Sequence, residues 1–171
     1  HTRSLPLHTN FSIKSEGENI YLNDSLGNRI QKLSIPALPT DISMGSSTEF
    51  PDSLVFFTRP TPGYENDEQA KSGIINDSII TNYSSGNYTD SIRVSIQNID
   101  TNFIIRYTLD GSLPRDTALL YDTSIIVDST MVLRFRYFCD SLIAGPVSNY
   151  TYFINDTSSL PTFSLITDPY N

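Results

Sequence analysis

The 171-residue chain has no tryptophan, one cysteine and two histidines. Each shortage removes a class of chemistry. A single thiol, Cys139, excludes an internal disulfide and leaves the redox compartment undecided. Both histidines, His1 and His8, lie near the start, so a Ser-His-Asp triad in the rest of the chain is excluded. No Cys/His cluster has the spacing of a zinc site, and no glycine-rich phosphate loop is present. The longest apolar runs, such as residues 54–57 and 125–127, fall far short of the ~20 residues of a membrane-spanning helix. Cations are also scarce. Eleven Lys and Arg stand against 19 Asp and Glu, a net charge of −8, which argues against nucleic acid and anionic membrane surfaces. The opening "HTRSLPLHTNFSIK" lacks the basic and apolar regions of a signal peptide. The chain is read as beginning inside a domain, with any targeting segment upstream.

Helical periodicity is nearly absent, and alternation takes its place. In "TMVLRFRYFCD" (130–140), Met131, Leu133, Phe135, Tyr137 and Cys139 share one face, and Val132, Arg134, Arg136 and Phe138 the other. That is the pattern of a half-buried strand, and it makes Cys139 a core thiol. "SIRVSIQ", "NFIIRYT", "SIIVD" and "NYTYFIN" behave alike, as do "TNFSIK", "ENIYLN", "NRIQKL" and "SLVFFT" in the first third. Residues 34–51 read as irregular. Short strands at close spacing with turn signals between them predict an all-β chain built of sandwiches. The Pro- and Gly-containing stretch 59–73 breaks the pattern. The predicted organisation is a first module over 1–66, a linker over 67–72, a second module over 73–156, and a tail over 157–171 that begins a further domain.

"YTLDGSLP" (107–114) is the most conspicuous local motif. Asp110 suits a backbone-capping turn, Gly111 a positive φ, and Pro114 a preset exit. Asp110, Ser112 and Asp116 offer oxygens, but their spacing is not that of an EF-hand loop. A structural turn is the expectation.

The aspartates follow a pattern. Ten of 14 are followed directly by Ser or Thr, where composition alone predicts about three. In seven the third residue is Ala, Ile, Leu or Thr, with Ser25, Ser53, Ser78, Ser91, Thr117, Ser129 and Ser141 in the middle. Turn chemistry explains the first two positions but not the third. N-x-[ST] triplets occur at Asn10, Asn23, Asn76, Asn82, Asn87, Asn149 and Asn155, and are read as a by-product of composition.

No catalytic residue, cofactor or metal ligand is assigned. "ENDE" (65–68) reads as a solvated acidic group. Without tryptophan, a sugar platform would fall to tyrosines, with Tyr83 and Tyr88 in "TNYSSGNYTD" as ligand-facing candidates. Arg106, Arg134 and Arg136 are expected on one outward sheet face, paired with aspartates across strands or facing an anionic partner.

Three resemblances extend this reading. "IRYTLDGSLPRDTALLYDTSIIVDSTMVLRFRYF" resembles the chitobiase/β-hexosaminidase C-terminal-type domain, with Tyr107, Thr108, Asp110, Gly111, Ser112 and Pro114 on its core motif and Tyr121 on a later tyrosine. The resemblance covers about residues 75–155. It implies an immunoglobulin-like β-sandwich that accompanies other domains without catalysing. "HTNFSIKSEGENIYLNDSLGNRIQKL", then "DISMG" and "TPGYEN", is similar to the second half of a bacterial lamin-tail domain. Phe11, Gly17, Glu18, Ile20, Leu22, Gly27, Asp41, Ser43, Gly45, Thr61, Pro62, Gly63 and Asn66 fit. The family's first strands are missing, so this sandwich is incomplete at its N-terminus. Such a half would expose sheet edges and apolar faces, and upstream chain or a protein partner would complete it. "LPTFSLITDPYN" is similar to the start of spore-coat-H-like (CotH) domains, some of which are atypical kinases. None of that family's catalytic residues is present.

Modules of these three types in series resemble surface proteins of Bacteroidetes-type bacteria, and Asp-Ser/Thr-apolar resembles their O-glycosylation acceptor. The implied function is non-catalytic display, spacing or adhesion at the outer surface, as a secreted protein. The alternatives are accessory domains of a CotH-like kinase or glycan-degrading enzyme, and a carbohydrate-binding module for a cell-surface glycan.

Overall fold

The computed structural model describes residues 11–66, 69–156 and 162–167. The two histidines, the first part of "TNFSIK", two residues of the expected linker and most of the expected CotH-like start lie outside them. Every regular element among the described residues is a strand, so the chain is all-β. It divides into two compact units, residues 1–69 and 70–171.

The first unit holds two hairpins. Strands β1 (Gly17–Asn23) and β2 (Arg29–Pro36) pair antiparallel. Their turn is built by Asp24, whose carboxylate accepts from the N–H groups of Leu26 and Asn28 at 2.9 and 2.8 Å. Gly17 enters the hairpin at φ 86°, where a Cβ would meet the carbonyl oxygen of Ile35 at 2.5 Å, so no other residue fits. Strands β3 (Ser43–Gly45) and β4 (Val55–Phe57) form the second hairpin. β3 lies in the stretch expected to be irregular, because three residues are too few to show alternation. Among the unit's described residues, Val55 and Phe57 are the only large apolar side chains that are buried. Tyr21, Leu22, Leu26 and Ile30 of the first hairpin are all exposed. Of "TNFSIK", residues 11–14 form no strand.

The second unit is an immunoglobulin-like sandwich. Its main sheet orders five strands as β6 (Gly86–Tyr88), β13 (Ser148–Ile154), β11 (Met131–Phe138), β8 (Ile104–Thr108) and β9 (Leu119–Leu120). Opposite lie the antiparallel pair β7 (Ile92–Val94) and β10 (Ile125–Val127), and the parallel pair β5 (Gly73–Ile74) and β12 (Leu142–Ile143). Alternation sets the core as the sequence predicts. Leu133, Phe135 and Tyr137 of β11 are wholly buried and pack with Ile105, Val94, Val127 and Tyr152. Each such side chain contributes about 1.5–3 kcal/mol of burial. Cys139 departs from expectation: β11 ends at Phe138, and the thiol is half-buried at the core's margin, 3.4 Å from the Ser141 hydroxyl. That hydrogen bond, with others from the backbone, lowers its pKa.

Tyrosine hydroxyls tie the two layers. Tyr137 donates to the carbonyl of Asn98 at 2.6 Å and Tyr150 to that of Ile79 at 2.8 Å. Tyr152 donates to the carbonyl of Tyr83 at 2.9 Å and lies 3.2 Å from the Thr81 hydroxyl. Tyr121 accepts the N–H of Ile96 at 3.1 Å. These bonds let large aromatic side chains fill the core without stranding a polar tip.

Candidate functional site

The Asp-Gly-Ser turn follows β8, and its chemistry is spent on the fold. Ser112 donates to Asp110 Oδ1 twice, from its hydroxyl at 2.6 Å and its N–H at 3.0 Å. The hydroxyl bond chiefly, with the backbone bond, holds the Asp110 carboxyl below its usual pKa. Thr108 donates its hydroxyl to the Ser112 carbonyl at 2.6 Å, and Arg134 Nη1 donates to the Gly111 carbonyl at 2.7 Å. Gly111 is buried at φ 79°, a conformation that disfavours any Cβ. Pro114 is fully buried. Tyr107 and Tyr121 join the motif to the core, each in ring contact with Phe135 and with one another. No group of three or more His, Cys, Asp or Glu among the described residues could hold a metal.

The three arginines do face outward from β8 and β11, with Arg136 directly opposite Arg106. Their partners differ from those expected. Arg106 donates to the carbonyl of Ala118 at 3.0 Å, and Arg136 to those of Gly145 and Ala144 at 2.7 and 3.4 Å. Arg134 Nε donates to Asn149 Oδ1 at 2.8 Å. Carbonyls of the connecting loops therefore take the place foreseen for aspartates, because the loops fold back over the sheet ends. Burial lowers the pKa of Arg136.

Tyr83 and Tyr88 do not stand out from a loop. Gly86–Tyr88 is the edge strand of the main sheet, paired parallel to β13. Its three residues lie among Ser, Gly and Asn, which hid the strand. Both rings are half-buried against the core and meet edge to face at 5.4 Å. The Tyr88 hydroxyl donates to the Ser84 carbonyl at 2.8 Å. Asn87, which the sequence offers only as one of its N-x-[ST] triplets, lies between them, exposed on the opposite side of the strand.

Ser25, Ser53, Ser78, Ser91, Thr117, Ser129 and Ser141 are all exposed. The residues that follow them span the whole range of burial. Ile79 and Ile92 are core residues at 1% and 8% exposure, so packing explains them. Leu26 is 85% exposed, and packing does not account for it.

A family model described as chitobiase/beta-hexosaminidase C-terminal domain matches residues 83–149. Over these residues the chain is similar to that family, and the Asp-Gly-Ser turn lies well inside the match. Residues 1–82 and 150–171, which carry the lamin-tail and CotH resemblances, lie outside it. No curated protein and no solved structure matches the chain.

Proposed function

We propose that the chain is a non-catalytic stretch of a larger, secreted bacterial surface protein, serving display, spacing or adhesion. The observation that carries this reading is the fate of its one chemical motif. Asp110, Ser112, Tyr107 and Tyr121 hold the turn and the core together, so nothing in them is left poised to react. The match to a family named for a C-terminal domain supports an accessory role. The exposed apolar residues of the first hairpin support a partner, or further chain, that completes the first module. A lamin-tail-like first module and a CotH-like continuation belong to the same proposal.

The Asp-Ser/Thr-apolar sites are proposed O-glycosylation acceptors, with Ser25 foremost because Leu26 serves no packing purpose. Intact mass and peptide mapping of the protein from its native source test both parts. A mass far above 19.1 kDa with sugar on Ser25 is the expected result. Bare serines at all seven sites would remove the glycan coat, and recovery of the protein solely inside cells would overturn the surface location.

The same match favours a second reading, an accessory module of a glycan-degrading enzyme, since chitobiase and β-hexosaminidase are named in it. A glycosidase domain in the parent chain would support it. A CotH-like nucleotide-binding core would instead make these the accessory modules of a kinase.

A further inference from the structure

A groove of about 590 Å3 lies on the outer face of the five-stranded sheet. Its floor follows from strand alternation. Asn149, Thr151 and Phe153 are spaced by two along β13, so they share a face. The parallel register sets Asn87 of β6 beside Phe153. Residues 162–167 supply the facing wall, where the Ser164 hydroxyl meets that of Thr151 at 2.6 Å.

The chemistry of this floor is distinctive in a chain of net charge −8. Every side chain lining the groove is uncharged. Hydroxyls and carboxamides form the row, and two half-buried apolar side chains, Phe153 on the floor and Ile166 on the facing wall, complete the lining. The polar groups are oriented without being used up. Ser85 Oγ accepts the Thr151 N–H at 3.1 Å, which leaves its proton to donate. Asn149 Oδ1 accepts from Arg134 Nε at 2.8 Å, which fixes the amide with its nitrogen as donor, and that nitrogen makes only a 3.4 Å contact to the Val147 carbonyl. The Asn87 amide is exposed and uncommitted among the described residues.

We infer that this groove binds a short neutral saccharide. A sugar ring offers what the site takes: hydroxyls that both donate and accept, matched to Asn and Ser, and an apolar C–H face matched to Phe153. An anionic ligand would find no cation in the lining, and an apolar one would strand the amides. The volume lies within the roughly 300–1,000 Å3 of small-ligand clefts. This assignment goes beyond the accessory-module reading and does not depend on it. It also differs from a Tyr83/Tyr88 platform, whose rings pack against the core.

The test is a two-dimensional amide NMR titration of the 171-residue chain with four probes: cellobiose, mannobiose, lactose and N,N′-diacetylchitobiose. At least one is expected to shift the side-chain amides of Asn87 and Asn149 and the backbone amide of Phe153, in a saturable way. Asn87→Ala should weaken that binding at least tenfold while leaving the rest of the spectrum unchanged, since Asn87 is exposed. The inference is overturned if none of the four moves these resonances, if the shifts map to Tyr83 and Tyr88 instead, or if Asn87→Ala binds as well as the parent. Asn149→Ala gives a second reading at the far end of the floor, and wild-type affinity in both variants would have the same meaning.

Discussion

The hydroxyl of Tyr121 accepts the backbone N–H of Ile96 at 3.1 Å, joining the segment after β9 to the segment after β7. The ring of Tyr121 also meets Phe135 edge to face at 6.1 Å. Tyr121→Phe keeps the ring and removes the acceptor, so a partly buried N–H loses its partner. The cost should be about 1–3 kcal/mol, seen as a lower urea midpoint at an unchanged slope.

The Asp-Gly-Ser turn is expected to fail in two separable ways. Gly111→Ala meets no neighbouring atom within 4 Å, so its cost is conformational alone. At φ 79° that is about 1–2 kcal/mol. Asp110→Ala instead strands the Ser112 donors and should cost about 1 kcal/mol at neutral pH. Denaturant curves for the two single variants check both values.

Acid should erase part of the Asp110 effect. Its carboxyl is held below the ordinary 3.8 by Ser112, so the folded state favours the charged form. The stabilisation is present above that value and is lost as pH falls through the folded pKa. The stability gap between the wild-type protein and Asp110→Ala should therefore narrow on acidification. A gap independent of pH would rule out the charged hydrogen bonds as its source.

Alkali should act through Tyr152. Burial pushes its pKa up to about 12 from the ordinary 10.0. The folded state favours the neutral phenol, so its contribution is full below pH 10 and is lost as pH rises towards 12. Burial raises the pKa of Tyr137 as well, so tyrosinate absorbance should show a late-titrating fraction that becomes ordinary on unfolding, and Tyr152→Phe should remove the part that titrates at about 12.

The Asp-Ser-Ile site at Ile79 and the Asp-Ser-Leu site at Leu26 should respond unequally to truncation. Ile79→Ala empties a core position at 1% exposure and should cost about 2–5 kcal/mol. Leu26→Ala, at 85% exposure, should leave stability within about 0.5 kcal/mol. Thermal melts of the two variants decide it.

Much of the second unit was legible because its longer strands alternate. Met131–Phe138 and Ser148–Ile154 run long enough for period two to show which face is buried. Gly86–Tyr88 and Leu119–Leu120 do not, and these are the two edge strands. An edge strand draws its definition from the neighbour it pairs with, so Asn87 could not be placed beside Phe153 from its own surroundings. The partners of the arginines were hidden for a related reason. Which carbonyl reaches Arg106, Arg134 or Arg136 depends on how distant loops close.

The sequence by itself determined the all-β class, the inward face of β11 and the Asp-Gly-Ser turn. Each rests on forces acting within a few residues: alternation along one strand, a side chain capping its own backbone, and a glycine accepting positive φ. Only the tertiary structure decided what those residues serve. It turned Tyr83 and Tyr88 toward the core, exposed all seven Ser/Thr sites, buried Ile79 but not Leu26, and drew Asn87, Asn149 and Phe153 into one uncharged groove. These outcomes depend on pairings between residues as many as 71 apart, set by where the whole core places its apolar surface.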